Sequence, residues 1–129
     1  MHEPGSIANL KKRFMPAAQY NIIIEQGATW RLSLTWKDSA GAPIDLTGYT
    51  ARMQVRQAYG AADALLSLSN GTGITLGPSA GVITLTASAT QTAAIAARNG
   101  VYDLEMVAPD GTVTRLLQGS VTISPEVTM

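Results

Sequence analysis

The residues able to carry acid–base, nucleophilic or metal chemistry are few and scattered along this sequence. His2 is its only histidine, and it contains no cysteine. A histidine-based triad, a cluster of histidine or thiolate metal ligands and a cysteine nucleophile therefore lack their essential residues. Because chain ends are usually poorly ordered, we interpret His2 as a solvated terminal residue.

Two pairs of carboxylates are the remaining candidates for chemistry. Asp38 and Asp45 flank a loop that contains Gly41, but calcium needs about six or more oxygen ligands, and this spacing matches no dense carboxylate loop. A hairpin turn followed by an Asx cap is the preferred interpretation. Asp103 and Glu105 project to the solvent face of a predicted strand, where we expect nothing to raise the pKa of one member as paired catalytic carboxylates require. We therefore predict no catalytic residue, no metal ligand, no cofactor and no enzymatic activity.

A glycine-rich stretch carries two further motifs. Asn70-Gly71-Thr72 fits the N-glycosylation pattern, but Asn-Gly is also the strongest hairpin dipeptide, and without a signal peptide the turn is the preferred interpretation. Gly71, Gly73 and Gly77 match neither a phosphate-binding loop nor a dinucleotide fingerprint, because no basic residue and no strong helix follows them.

Two tryptophans share one predicted strand. Trp30 and Trp36 are six residues apart, which puts them on the same face of the strand. We interpret them as core aromatics, and the alternative is a carbohydrate-stacking platform.

Residues 1–19 differ from the rest of the chain. They contain Pro4, Gly5 and Pro16 and show neither a helical nor a strand period. Three basic residues and one acidic residue give this segment a charge of +2, whereas six basic and eight acidic residues give residues 20–129 a charge of −2. We predict an N-terminal assembly arm that is disordered in the free protein and becomes fixed along a neighbouring subunit. Its predicted partner-binding residues are Ile7, Leu10, Lys11, Lys12, Arg13, Phe14 and Met15.

Composition restricts the class of partner. The chain has 129 residues, 14% of them charged, and a formal net charge of zero, so it fits one domain and has no global field that would attract nucleic acid or anionic lipid. The basic run Lys11-Lys12-Arg13 is too short to change this expectation. No apolar stretch is long enough for a membrane span or a secretory signal. We expect a protein made in the cytoplasm that binds other protein surfaces.

From Tyr20 onward the hydrophobic period is two, which is typical of strands with one buried face. The clearest run is Trp30 to Lys37, where Leu32 and Leu34 alternate with polar residues. We predict that this strand packs on a core formed with Met53, Val55, Leu104 and Ile123. The other predicted strands lie at 51–56, 82–86, 102–106 and 120–124.

Turn signals separate these runs at spacings typical of β-meanders. They are residues 38–41, Asn70-Gly71, residues 79–81, Asn99-Gly100 and Asp110-Gly111. Only residues 88–98 have a helical pattern, with Ser88 or Thr90 as the N-cap and Asn99-Gly100 as the stop. We predict one or two helical turns there.

The regular punctuation predicts an all-β fold. We expect an immunoglobulin-like, two-sheet antiparallel β-sandwich over residues 20–129, with the short helical segment and the extended N-terminal arm added to it. A small open barrel is the alternative. Residues 45–49 predict a glycine bend with a buried Leu46 and Tyr49, and Gly119 predicts a bulge or a close backbone approach.

Several of these segments together resemble a known family. The runs Ile24–Asp38 and Gly41–Arg56, followed by 81–85, 102–105 and 115–128, are similar to small phage and prophage structural proteins related to the immunoglobulin-like N-terminal domain of upper baseplate proteins. The resemblance covers residues 20–128 and implies a structural role in a tailed-phage virion. In that family the first strand begins near the start of the chain, so the arm before Tyr20 is a departure, and the family's place in the virion is not carried over.

The resemblance makes a multi-copy virion component of the tail, baseplate or neck the leading hypothesis. The implied partners are other virion proteins and copies of the chain itself, with no nucleic acid and no membrane, and the implied location is the virion, assembled in the host cytoplasm. The alternative is a carbohydrate- or receptor-binding β-sandwich module, which the two tryptophans suggest.

Overall fold

The fold is mostly β-structure. The computed structural model describes residues 6–11 and 17–128, the first of these ranges as backbone only. The strands are β1 (Ser6–Lys11), β2 (Ala18–Gln19), β3 (Ile22–Glu25), β4 (Trp30–Lys37), β5 (Thr50–Arg56), β6 (Ala64–Asn70), β7 (Gly73–Gly77), β8 (Val82–Ala87), β9 (Asn99–Val107) and β10 (Val113–Ser124). A short helix, α1, spans Ala89–Ala93, and a 3-10 turn spans Pro78–Ala80. The all-β prediction is confirmed.

These strands form one curled sheet in the order β1-β4-β8-β7-β6-β5-β9-β10-β2, with β3 also paired to β10. Antiparallel ladders join β4 to β8, β8 to β7, and β6 through β5 and β9 to β10. Parallel ladders attach β1 at one end and β2 and β3 at the other. Between β6 and β7 the ladder is short: Ser69 pairs with Gly73 and Asn70 with Ile74 around the predicted Asn70-Gly71 turn.

The inner surface of the curled sheet encloses a hydrophobic core. Strands β3 to β10 all contribute buried side chains to it. Leu32, Leu34 and Trp36 of β4 are buried there, while Trp30 is only partly buried against the cluster. The predicted partners Met53, Val55, Leu104 and Ile123 are buried in the same cluster. The predicted inner face of β4 is therefore confirmed, apart from the partial exposure of Trp30.

The helical segment agrees with its prediction, but the following turn does not. Ser88 caps α1 in a capping box, accepting a hydrogen bond from the Gln91 N–H (3.1 Å), while the Gln91 side chain accepts one from the Ser88 N–H (2.9 Å). The predicted turn at Asn99-Gly100 is wrong, because both residues begin β9. A Cβ on Gly100 would lie 2.7 Å from the carbonyl oxygen of Arg56, so this glycine permits close strand approach instead of a chain reversal.

The glycine bend before β5 forms as predicted, but Tyr49 is only partly buried. Gly48 has φ +78°, Leu46 is buried, and Tyr49 packs against the core. The ring of Tyr49 meets that of Trp36 edge-to-face, with centroids 5.9 Å apart.

Candidate functional site

The N-terminal strand β1 lies at one end of the sheet, beside β4. The two strands run parallel, with Ser6 opposite Ser33 and Ile7 opposite Leu34. After a shift in register the ladder continues to Lys11, opposite Lys37.

This strand carries part of the predicted partner-binding set. Ile7, Leu10 and Lys11 belong to β1 and so lie along the edge of β4. The pairing is within one chain, and pairing on a neighbour stays a prediction. The other four predicted residues, Lys12, Arg13, Phe14 and Met15, lie outside the described residues.

The edge of β4 is a long hydrogen-bonding template. One side of β4 pairs with β8 from Trp30 to Thr35, and its inward side chains anchor the strand in the core. Its other side offers a row of backbone N–H and C=O groups, which β1 covers. An uncovered edge strand of this kind is a ready site for pairing with another chain.

The opposite end of the sheet is completed by β2 and β3, which run parallel to β10. Ala18 and Gln19, which the sequence pattern assigns to the arm, pair with Leu117 and Gln118. The ladder resumes when β3 pairs with residues 121–124 of β10.

Between β2 and β3 the chain passes very close to Gly119. A Cβ at residue 119 would collide with the carbonyl oxygen of Tyr20 and lie 2.9 Å from Oδ1 of Asn21. The Asn21 side chain accepts a hydrogen bond from the Ser120 N–H (3.0 Å), and the Tyr20 N–H donates to the Gln118 carbonyl (2.9 Å). The predicted close approach at Gly119 is confirmed, while the break in the β9–β10 register falls earlier, between Arg115 and Leu117.

Tyr102 fastens this segment to the sheet. It lies opposite Gly119 in the β9–β10 ladder, and its hydroxyl donates a 2.6 Å hydrogen bond to the Tyr20 carbonyl. Burial, with a smaller contribution from Tyr20, raises the pKa of the Tyr102 phenol above its usual range. The hydroxyl therefore remains a protonated donor at neutral pH.

The outer surface of β5, β9 and β10 forms a mixed-charge patch, which we call the polar face. Glu105 lies between Arg52 on one neighbouring strand and Arg115 on the other, and Asp103 lies between Gln54 and Gln118. The polar face consists of Arg52, Gln54, Arg56, Asp103, Glu105, Arg115 and Gln118.

The charges on the polar face pair with one another. Arg52 Nε contacts Glu105 Oε1 at 2.7 Å, and Arg115 Nε contacts Asp103 Oδ2 at 3.4 Å. The Arg56 guanidinium donates to Gln54 Oε1 (2.8 Å). The alternation of the strands predicts that these side chains point outward, but only the strand order brings each cation to its partner.

The pKa of the Asp103 carboxyl is shifted, although the sequence predicts an unperturbed group on a solvent face. Burial raises its carboxyl pKa, and the Glu105 charge raises it further, while Arg115 and Arg52 oppose the shift. The side chains of Asp103 and Glu105 are 39% and 23% exposed, so both carboxylates are partly buried. The expectation that nothing raises the pKa of one member of this pair is therefore wrong for Asp103, which lies between Gln54 and Gln118 of the neighbouring strands.

Two open depressions on the polar face are lined largely by polar side chains. Tyr59 is 80% exposed and stands beside the first of them. This depression, of about 230 Å³, is lined by residues including Gln54, Arg56, Tyr59, Asp103, Arg115 and Gln118. The second, of about 310 Å³, is lined by residues including Arg52, Gln54, Ser67, Ser69, Asp103 and Glu105. An open, polar surface with an exposed aromatic suits contact with another protein.

The loop carboxylates form turns. Asp38 Oδ1 accepts hydrogen bonds from the Ala40 and Ala42 N–H groups, both at 2.9 Å. Asp45 Oδ1 accepts from the hydroxyl (2.7 Å) and the N–H (3.0 Å) of Thr47, and these bonds lower its pKa. In residues 6–11 and 17–128, no group of three or more histidine, cysteine, aspartate or glutamate residues is arranged to hold a metal ion.

The two tryptophans do not form a stacking platform. Trp36 is 1% exposed, inside the core, and Trp30 packs partly against the same core. The observation that suggested a carbohydrate module is thereby removed.

No known protein family and no curated protein sequence matches this chain. Among the described residues, no helix is long and apolar enough to cross a membrane.

Proposed function

We propose that this chain is a non-enzymatic structural component of a tailed-phage virion, in the tail, baseplate or neck, that acts through protein–protein contacts in a multi-copy assembly. Its proposed partners are other virion proteins and copies of itself. The motifs between residues 20 and 128 that resemble phage structural proteins supply the biological context, and the virion, assembled in the host cytoplasm, is the proposed location.

The observation that carries the assembly role is the attachment of β1. This strand sits at the end of the sheet order and pairs with β4. Residues 12–17 separate it from β2, at the other end of the sheet. A terminal strand attached through one ladder is the part of a β-fold that can join neighbouring subunits at least cost to the core.

The strand order also supports an immunoglobulin-like arrangement of the domain. Among the described residues, the group β4-β8-β7 and the group β6-β5-β9-β10 are joined in the sheet by the short β6–β7 ladder alone. Two such groups, folded face to face around one core, have the layout of a two-sheet sandwich. We propose that the curl at β6–β7 is the corner between its two layers.

The polar face offers a second contact surface. Because it contains both signs of charge, it suits a partner surface that is also mixed in charge, and we expect its exposed pairs to set orientation more than affinity. The carbohydrate- or receptor-binding alternative has less support, because Trp36 is buried.

Competitive incorporation tests the proposal. Full-length protein and a variant lacking residues 1–16, which keeps β2, are supplied together during phage production, and their ratio in purified tailed particles is measured by mass spectrometry. We expect both in the lysate and strong enrichment of the full-length chain in the particles. A Val127→Ala variant, changed at an exposed position outside β1 and the polar face, serves as the control and should be incorporated like the wild type.

Two results would count against the proposal. If neither form is present in purified particles, the virion role is wrong. If both forms are incorporated equally, the N-terminal strand does not carry the assembly function.

A further inference from the structure

We propose that the edge of β4 accepts β1 from a second copy of this chain, so that neighbouring copies exchange their N-terminal strands. This inference rests on the proposed function and deepens it, because it names the partner, a second copy, and the surface that it occupies.

The first argument is that donor and acceptor are both present in every copy. β1 pairs with β4 in parallel through backbone hydrogen bonds, with Ser6 opposite Ser33 and Lys11 opposite Lys37. Backbone pairing depends on register and direction, not on whether both strands belong to one chain. The same ladder therefore forms within one copy or between two, as in other domain-swapped proteins.

The second argument is the path of the chain after β1. Lys11 lies at one end of the strand order and Ala18 at the other, with six residues between them. Seven Cα–Cα steps span at most about 25 Å when fully extended. The connection therefore limits exchange to a subunit whose β4 edge lies within that distance of Ala18.

The third argument is the contrast with β2 and β3. Those strands continue one another along β10 and are fixed by the Tyr20–Tyr102 hydrogen bond and the close contact at Gly119. β3 then reaches β4 through residues 26–29 alone. The contacts therefore confine exchange to the segment before β2.

Concentration decides which pairing dominates. Within one chain, the short connection gives β1 an effective concentration of about millimolar at its own β4 edge. Dilute protein should therefore pair internally. Copies packed side by side in an assembly present their β4 edges at comparable local concentration. Exchange then replaces the internal ladder of each copy with the same ladder between two copies, so every β4 edge stays paired while the subunits become linked.

Because the chain has no cysteine, single-cysteine variants test the exchange directly. A tagged full-length Ser6→Cys protein is mixed with an untagged full-length Ser33→Cys protein, unfolded and refolded together, and oxidised at increasing concentration. Opposed strand positions lie within the distance that a disulfide bridges. We expect a disulfide dimer containing one copy of each variant, identified by mass, whose yield rises with concentration.

The matched control uses Ile23→Cys mixed with Thr122→Cys, two exposed positions opposed in the β3–β10 ladder. This mixture should give no more mixed dimer than random collision produces. The Ser6→Cys/Ser33→Cys double variant, oxidised when dilute, should close its disulfide within one chain and remain monomeric.

Two outcomes overturn the inference. If the double variant closes internally but the mixed Ser6→Cys and Ser33→Cys proteins give no excess of mixed dimer, β1 is confined to its own chain. If the double variant does not close either, the β1–β4 register is wrong and the exchange fails with it. Both results come from purified protein, so they leave the virion role to be tested by particle composition.

Discussion

The hydroxyl of Tyr102 donates a 2.6 Å hydrogen bond to the backbone carbonyl of Tyr20, a residue 82 positions earlier in the chain. Tyr102 belongs to β9, whereas Tyr20 lies between β2 and β3, on the far side of β10. One side chain therefore spans β10 and holds the start of the domain to its sheet.

Tyr102→Phe removes this hydrogen bond and leaves the buried ring in place. We expect the free energy of unfolding to fall by about 0.5–1.5 kcal/mol, or somewhat more because the Tyr20 carbonyl loses a partner. Denaturant unfolding measures the change. Tyr59→Phe, at an exposed tyrosine, should unfold like the wild type, and an unchanged Tyr102→Phe protein would mean that the contact contributes nothing.

The stability difference between the wild type and Tyr102→Phe should also depend on pH. Burial raises the pKa of Tyr102 in the folded state above the value of about 10 that tyrosine has in an unfolded chain. The stability that the protonated hydroxyl contributes is therefore fully present below about pH 10 and is lost as the pH rises above that value. Phenylalanine does not titrate. The stability difference between wild type and Tyr102→Phe should therefore stay constant from pH 6 to about pH 9 and shrink above about pH 10. A constant difference up to about pH 11 would contradict the shift.

Gly119→Ala tests the close approach of the chain at Tyr20. The added Cβ would collide with the Tyr20 carbonyl, and we expect a loss of about 1–3 kcal/mol in unfolding free energy, as for other overpacked sites. Gly77→Ala is the milder comparison and should lose less stability, because Gly77 has φ −99° and its Cβ would make a tight contact with the Val82 side chain at 3.3 Å without a collision. Equal melting temperatures for the two variants would argue against the contact.

Alternation along single strands is enough to predict the inward faces of β4, β5, β8 and β9. It fails at β3, where Ile22, Ile23 and Ile24 are equally apolar although only Ile23 faces outward, at 65% exposure. An Asn-Gly pair also has two uses, since it makes a turn at residue 70 and begins a strand at residue 99.

The candidate site shows the same limit. The sequence pattern predicts that Tyr102 points inward and Glu105 outward, but it does not predict which partners they meet. Tyr20 and Arg52 reach them because β2 and β3 lie beside β10 in the sheet and β5 lies beside β9. Strand order depends on contacts distant in sequence, and these leave no local period to read.

Asp103→Asn tests the electrostatics of the polar face. The pKa of Asp103 is raised in the folded state, mainly by burial. Folding therefore disfavours the ionised carboxylate, and the stability that the neutral carboxyl contributes is lost as the pH rises through the folded-state pKa. The stability of Asp103→Asn minus that of the wild type should therefore be larger at pH 7 than at pH 3. Melting temperatures of both proteins at the two pH values measure this, and the opposite order would show that the Arg115 contact outweighs burial.

The proposed role in a virion is tested most directly by a cryo-electron microscopy reconstruction of intact tailed particles produced with this chain. We predict repeated density for the all-β domain in the tail, baseplate or neck, with a strand from an adjoining copy lying parallel along the edge of β4. A reconstruction in which this domain fits no part of the particle density would contradict the structural role, even if the isolated protein exchanges strands in solution.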